Sequence, residues 1–233
     1  MTNSIPDTSL RQAALVAGFG LLIMTLAYLL PEIFVFKALI VSGDAEATAN
    51  NILANEMLFR MGICGFLIVI LCDVLVAWAF YVFLRPVSRS LSLLAAWFRL
   101  VYSVTFVIAL FNYLDVLRYL SGAKYLSVFD LDNLHAQVML SINAFSNEWA
   151  MGFVFFGLHL ALVGYLAFKA NYIPKFLGIL LMVAGLSYLI DTFSKFLFPD
   201  FNVVLSVFTG WGELLFAFWL LYKGIKYRSF FEF

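Results

Sequence analysis

Six long apolar stretches separated by short polar connections dominate the pattern of the chain. They cover approximately residues 12–36, 57–84, 91–117, 148–168, 176–198 and 203–222. A helix needs about 20 apolar residues to cross the hydrocarbon core of a bilayer, so each stretch is long enough for one span. The pattern predicts an all-α, polytopic membrane protein, with a six-transmembrane-helix bundle built as a single integral membrane domain over residues 1–233.

The longest connection, 118–147, contains a further helical pattern. Asp130 suits the N-cap of a helix. Apolar side chains then recur at helical spacing, and polar residues fill the other side. The apolar positions are Leu131, Leu134, Val138, Ile142 and Phe145. This pattern predicts an outer amphipathic helix between spans three and four, which either lies on the membrane surface or packs over the mouth of the bundle.

Composition supports a membrane environment. Of the 233 residues, 64% are hydrophobic and 12% are charged, whereas soluble domains contain about half and about a quarter. Cys64 and Cys72 lie on the same predicted span, where they cannot form a disulfide with each other. The protein should therefore have membrane lipids as neighbours, and we expect no nucleic acid as a partner.

The distribution of basic residues predicts the orientation. Eight of the 14 Lys and Arg residues lie at the termini and in the turns after spans two and four, against three in the opposite connections. The eight are Arg11, Arg85, Arg89, Lys169, Lys175, Lys223, Lys226 and Arg228, and the three are Lys37, Arg118 and Lys124. Because basic loops stay on the cytoplasmic side, both termini should be cytoplasmic.

Four ionisable residues share one level inside the predicted membrane. Arg99, His159 and Glu213 each lie ten residues from a basic turn residue, and Asp73 lies twelve residues from Arg85. At about 1.5 Å per residue, all four lie about 15–18 Å below the cytoplasmic surface. Charges at this depth are costly unless they face inward and pair. We expect Asp73 and Arg99 to pair, since a short turn joins their helices.

A second level, nearer the outside, holds Arg60 and Asp191. Glu56–Arg60 and Asp191–Lys195 are spaced four residues apart, as in pairs on a helix surface. The sequence suggests a ligand site formed by Asp73, Arg99, His159 and Glu213 that opens past Arg60 and Asp191. A buried pair can equally fix helix register without any activity, and a catalytic role is the third alternative.

The sequence motifs give little support for catalysis or for metal binding. With His135 and His159 as the two histidines, a three-histidine zinc site is excluded. The depth of Asp73, His159 and Glu213 permits a mixed metal site, but no spacing motif supports one. No G-x-S-x-G elbow and no glycine-rich phosphate loop occurs. We therefore assign no catalytic residues, no metal and no cofactor, and the balance favours a protein that is not an enzyme.

Several segments resemble a bacterial integral membrane family known as domain of unknown function 4386. They are LFRMGI, CDVLVA, LRPV, LLAAWFRL, FFGLHL and the turn Y-x-P-x-x-LG. The resemblance extends from about Leu10 to the end of span five. It implies a six-helix inner-membrane fold, and it supplies no catalytic residues.

Three functional hypotheses follow. The first is a binding or transport module for a small ligand or lipid, and Arg99 would suit an anionic ligand or a lipid headgroup. The second is an accessory subunit or homo-oligomer whose partner helices contact small-residue faces such as Gly152–Gly157 or Gly178–Gly185. The third is a membrane-embedded hydrolase with Glu213 or Asp73 as its base.

Overall fold

A computed structural model describes residues 9–198 and 204–226, and all regular structure in these ranges is helical. The helices are α1 (Leu10–Pro31), α2 (Lys37–Leu39), α3 (Ala45–Ala54), α4 (Glu56–Leu84), α5 (Arg89–Tyr119), α6 (Leu131–Lys169), α7 (Lys175–Leu197), α8 (Ser206–Thr209) and α9 (Trp211–Lys226). A π-helical turn, Glu32–Phe36, joins α1 to α2, and a 3-10 turn, Lys124–Val128, precedes α6. The predicted all-α class is confirmed.

Five helical segments of the described chain are long and apolar enough to cross a membrane. They are Leu10–Leu39, Glu56–Leu84, Arg89–Tyr119, Leu131–Lys169 and Lys175–Leu197. Large apolar side chains are exposed along them, among them Leu71, Val104 and Phe193, as expected of surfaces that face lipid. The protein is therefore a multi-pass membrane protein.

The sixth predicted span is not among these five. In the described residues it corresponds to the short α8 and the 16-residue α9. Its predicted first residue, Val203, lies outside the described ranges, as does Arg228 of the charge count. Six spans therefore remain a prediction.

The predicted outer amphipathic helix is not confirmed as a separate element. Its residues form the first part of α6, which continues without a break through the predicted span four to Lys169. The Asp130 cap is confirmed, because its Oδ1 accepts a hydrogen bond from Asn133 N at 2.8 Å. Val138, Ile142 and Phe145 are buried, whereas Asp132 and Asn133 are exposed. The segment is thus helical and two-sided, but it belongs to a longer helix.

Polar residues and a proline set the other helix boundaries. Asp44 accepts a hydrogen bond from Ala47 N at 2.8 Å and so caps α3, as its place before the helical stretch predicts. Pro31 ends the α-helical part of the first span, where the π-turn begins. Proline lacks the N–H that the α-helical ladder requires, so the backbone changes its hydrogen bonding at this point.

The described residues form two compact units. The first draws on the described parts of Met1–Ile23, Cys72–Tyr102 and Phe153–Phe233, and the second on Met24–Leu71 and Ser103–Gly152. The second unit is built around aromatic rings. Phe66 stacks with Phe145 at 5.8 Å between ring centroids, and Phe106 stacks with Trp149 at 4.8 Å.

In the first unit, α6 and α7 approach through facing glycines. A methyl group placed on Gly164 would lie 2.7 Å from Gly178 O, and one on Gly185 would lie 2.6 Å from Gly157 O. Carbon atoms do not approach oxygen so closely, so these four positions exclude any larger residue without backbone movement. The close contact brings helix backbones together as small-residue motifs do in membranes.

Candidate functional site

Arg99, in the middle of α5, is the centre of a buried ionic cluster in the first unit. Its side chain and that of Asp73 on α4 have no exposed area. Arg99 Nε donates to Asp73 Oδ1 at 2.8 Å, and Arg99 Nη2 lies 2.8 Å from the same oxygen. The predicted pairing of Asp73 with Arg99 is confirmed.

His159, on α6, is the second partner of Arg99. Arg99 Nη1 lies 3.0 Å from His159 Nε2, and His159 Nδ1 lies 2.8 Å from the carbonyl oxygen of Ala95. A guanidinium can only donate and a carbonyl oxygen can only accept. The imidazole must therefore carry its proton on Nδ1 and accept at Nε2, which makes His159 a neutral ring with both nitrogens engaged.

Glu213, in the first turn of α9, is the third partner. Arg99 Nη1 donates to Glu213 Oε1 at 3.3 Å, the longest contact in the cluster. The Glu213 side chain is 21% exposed, whereas the other three members are fully buried. The cluster therefore reaches the surface of its unit at Glu213.

One oxygen of the cluster has no partner. Asp73 Oδ2 is buried and makes no hydrogen bond with the described residues. Arginine–carboxylate pairs often use both oxygens in two parallel bonds, but here both arginine contacts go to Oδ1. An unpaired buried oxygen on a charged group costs more than about 1–3 kcal/mol, so the pair alone does not complete this site.

Aromatic rings surround the charged groups. The Arg99 guanidinium carbon lies 5.5 Å from the centroid of Phe156. Phe80 and Phe156 lie 6.0 Å and 6.1 Å from the imidazole of His159, and Phe80 stacks on Phe216 at 5.8 Å. These rings provide apolar walls whose faces attract cations.

When Asp73 and Glu213 are both ionised, the cluster of two carboxylates, one guanidinium and one neutral imidazole has a net charge of −1. All three guanidinium nitrogens of Arg99 are already engaged by Asp73, His159 and Glu213. The geometry therefore leaves acceptors, rather than donors, for a ligand.

The two outer candidates do not share these contacts. Arg60 forms an ion pair with Glu56 at 2.6 Å, and both side chains are about half exposed. Asp191 accepts hydrogen bonds at 2.8 Å from the backbone N–H groups of Leu205 and Ser206, one to each carboxylate oxygen. Asp191 thus holds the chain that enters α8, an interaction that its spacing from Lys195 did not suggest.

The cluster does not fit a metal ion. Arg99 lies between Asp73, His159 and Glu213, and both imidazole nitrogens of His159 are engaged. Within the described ranges, no group of three or more His, Cys, Asp or Glu residues has metal-site geometry. The same geometry leaves His159 without a free nitrogen to act as a general base.

The small-residue faces that the sequence offered to a partner are used inside the chain. Gly157 and Gly164 of α6 contact Gly185 and Gly178 of α7. These four glycines therefore serve a helix contact within the chain, and a partner subunit stays a prediction.

Comparison with known proteins gives a family and no activity. An uncharacterized protein of Archaeoglobus fulgidus is 37% identical over 164 residues, which cover 70% of this chain and 84% of the relative. No solved structure matches the chain significantly. The family described as domain of unknown function (DUF4386) matches residues 16–224, and the chain therefore belongs to the DUF4386 family.

Proposed function

We propose that this protein is a membrane-embedded binding or transport module whose ligand site is the cluster of Asp73, Arg99, His159 and Glu213. The observation that carries the proposal is the unpartnered Oδ2 of Asp73. A pair kept only for helix register would gain from satisfying both oxygens, since a buried, half-satisfied polar network is less favourable than an apolar core. A ligand that binds this oxygen accounts for the arrangement.

The proposal includes a six-span bundle in the bacterial inner membrane, built as one domain with both termini cytoplasmic. The 21 residues from Ser206 to Lys226 that contain α8 and α9 would extend about 30 Å as a helix, enough for a sixth span. Glu213 would then lie within that span, at the level of Arg99.

The other two hypotheses lack a supporting observation. The accessory-subunit hypothesis depended on glycine faces that α6 and α7 use for each other. The hydrolase hypothesis needs Glu213 or Asp73 as its base, but each of these carboxylates is bonded to the guanidinium of Arg99. Membrane lipids are the neighbours that the exposed apolar surface implies.

Native mass spectrometry of the purified protein tests the proposal. We expect the wild type to retain a bound small molecule or lipid that the double variant Asp73→Leu/Arg99→Leu loses. The matched control is Glu56→Gln/Arg60→Gln, which removes an exposed ion pair and should keep the ligand. Identical bound species in the wild type and the double Leu variant would overturn the proposal.

A further inference from the structure

We propose that the cluster around Arg99 binds a primary ammonium group, carried by a small amine or by an aminolipid headgroup. The inference rests on the proposed function and names the ligand class of the same site. It differs from the anionic ligand that the sequence suggested, and three features of the site support it.

The first feature is hydrogen-bonding capacity. Asp73 Oδ2 is a buried acceptor without a partner, and Glu213 Oε2 takes no part in the contact of Glu213 with Arg99. An ammonium group has three N–H donors, so it can bind Asp73 Oδ2 and still has donors for a second acceptor. All three guanidinium nitrogens of Arg99 already contact members of the cluster, so none of them is left to bind an anion.

The second feature is charge. With both carboxylates ionised, the site has a net charge of −1, and a charge in a low-dielectric environment is stabilised when an opposite charge binds beside it. One ammonium group neutralises the cluster, whereas an anion would add a second uncompensated charge. A neutral hydroxyl would satisfy the hydrogen bond but leave the charge.

The third feature is the wall and the opening of the site. Phe156 lies beside Arg99 and His159, and Phe80 lies beside His159 and stacks on Phe216. Aromatic faces stabilise desolvated cations. They supply no oxygen for a calcium or magnesium ion, which takes six or more oxygen ligands. Glu213, partly exposed and with the longest contact, is where the ammonium group would enter.

Thermal unfolding in detergent at neutral pH tests the inference with ethanolamine hydrochloride as the probe. Choline chloride at equal concentration is the control, because its quaternary nitrogen has the charge but no N–H. Ethanolamine should raise the Tm of the wild type by about 3 °C at ten times its dissociation constant, and choline should not. Asp73→Asn, which replaces the acceptor Oδ2 by a donor, should abolish the shift.

Two further variants keep the test independent of folding defects. Glu213→Gln alters the partly exposed member of the cluster and should weaken the ethanolamine response about tenfold in concentration. Glu56→Gln, in an exposed pair of α4, should leave the ethanolamine response unchanged.

Nanodiscs distinguish a lipid headgroup from a soluble amine as the source of the ammonium group. Stabilisation in phosphatidylethanolamine relative to phosphatidylcholine, without a response to free ethanolamine, identifies a lipid headgroup. A response to free ethanolamine without a preference for phosphatidylethanolamine identifies a soluble amine.

Three results would overturn the ammonium ligand, and each would do so in a different way. Equal shifts from choline and ethanolamine, or a shift from sodium phosphate, would refute an N–H donor cation. In another outcome, the Tm of the wild type changes with pH, Asp73→Asn removes this change, and neither ethanolamine nor phosphatidylethanolamine has an effect. That result would show that the site binds only a proton. If none of these probes acts but mass spectrometry still shows a ligand lost with Asp73 and Arg99, the proposed function stands and the ammonium class is wrong.

Discussion

Arg99 places two nitrogens, Nε and Nη2, at 2.8 Å from a single oxygen of Asp73. The arrangement ties α4 to α5 in the fully buried part of the first unit. It concentrates the donors on Oδ1 and leaves Oδ2 to be satisfied from elsewhere. The pair is therefore a structural link, and its second oxygen is the acceptor on which the proposed site depends.

The link between Asp73 and Arg99 predicts a strong coupling between their substitutions. Asp73→Leu or Arg99→Leu alone leaves a buried charge without its partner, which typically costs about 3–5 kcal/mol. The double Leu variant leaves neither charge of the pair and should lower the free energy of unfolding by less than either single variant. Unfolding in detergent measures the three values, and additive losses would show that the pair is not coupled.

The contact of α6 with α7 predicts that its glycines tolerate no side chain. In Gly164→Ala the new methyl group would lie 2.6 Å from Met182 N, and in Gly178→Ala 2.6 Å from Phe168 N. The neighbours are backbone atoms, so each variant should lose about 1–3 kcal/mol of stability. Ile179→Ala, at an exposed position of α7, is the control in thermal unfolding, and an equal loss there would contradict the interpretation.

Asp191 predicts a local effect. Asp191→Asn removes the charge and one of the two acceptors that hold Leu205 N and Ser206 N. Hydrogen exchange at these two amides should become faster, because a hydrogen bond to a charged group contributes about 1.5–3 kcal/mol. Asp115→Asn, which alters an exposed pair with Arg118, should leave both amides unchanged. Unchanged exchange at both amides in Asp191→Asn would show that their hydrogen bonds to Asp191 do not stabilise this segment.

Tyr172 lies between α6 and α7 and donates a hydrogen bond to Phe83 O at 2.7 Å. Tyr172→Phe keeps the edge contact with the Phe83 ring and should lose about 1 kcal/mol. Burial raises the pKa of the Tyr172 hydroxyl above its ordinary value of 10.0. A hydroxyl whose pKa is higher in the folded than in the unfolded state favours the folded state fully below about pH 10. This contribution to the free energy of unfolding is lost as the pH rises further. The advantage of the wild type over Tyr172→Phe should therefore narrow above about pH 10, whereas Tyr165→Phe, at an exposed position, should show no such trend.

The distribution of basic residues predicts which loops face the cytoplasm. In a Cys64→Ala background, a membrane-impermeant maleimide should label Ser127→Cys in intact cells and Ser88→Cys only after permeabilisation. Ser88 lies in the turn between α4 and α5, and Ser127 in the 3-10 turn before α6. Labelling of Ser88→Cys from outside intact cells would reverse the proposed orientation.

Counting residues along helices predicted much of the site, because the rise per residue is nearly constant. Asp73, Arg99, His159 and Glu213 were expected at one level, and all four meet at the guanidinium. The count could not show that both arginine contacts go to one oxygen. It also could not find the Ala95 carbonyl, since every residue has such an acceptor and only the packing selects one.

The fold shows where the polarity of a segment was a poor guide. Residues 118–147 were predicted as a connection before the fourth span at 148–168, yet α6 runs without a break from Leu131 to Lys169. No Gly or Pro occurs between Leu131 and Met151, so nothing in the backbone interrupts the helix. The spacing of Asp191 from Lys195 also could not reveal its backbone partners, because these N–H groups lie 14 and 15 residues away.

The π-turn Glu32–Phe36 after Pro31 affects how relatives of this protein should be compared. A π-turn accommodates one more residue than an α-helical turn and then returns the helix to its usual winding. A relative that lacks one residue in this segment can therefore keep the flanking faces in phase by winding the same turn as α-helix. In an alignment of relatives, a gap of one residue at 32–36 therefore indicates a change from π-helical to α-helical winding. The same gap in the middle of α4 would rotate every following side chain by about 100° around the helix axis.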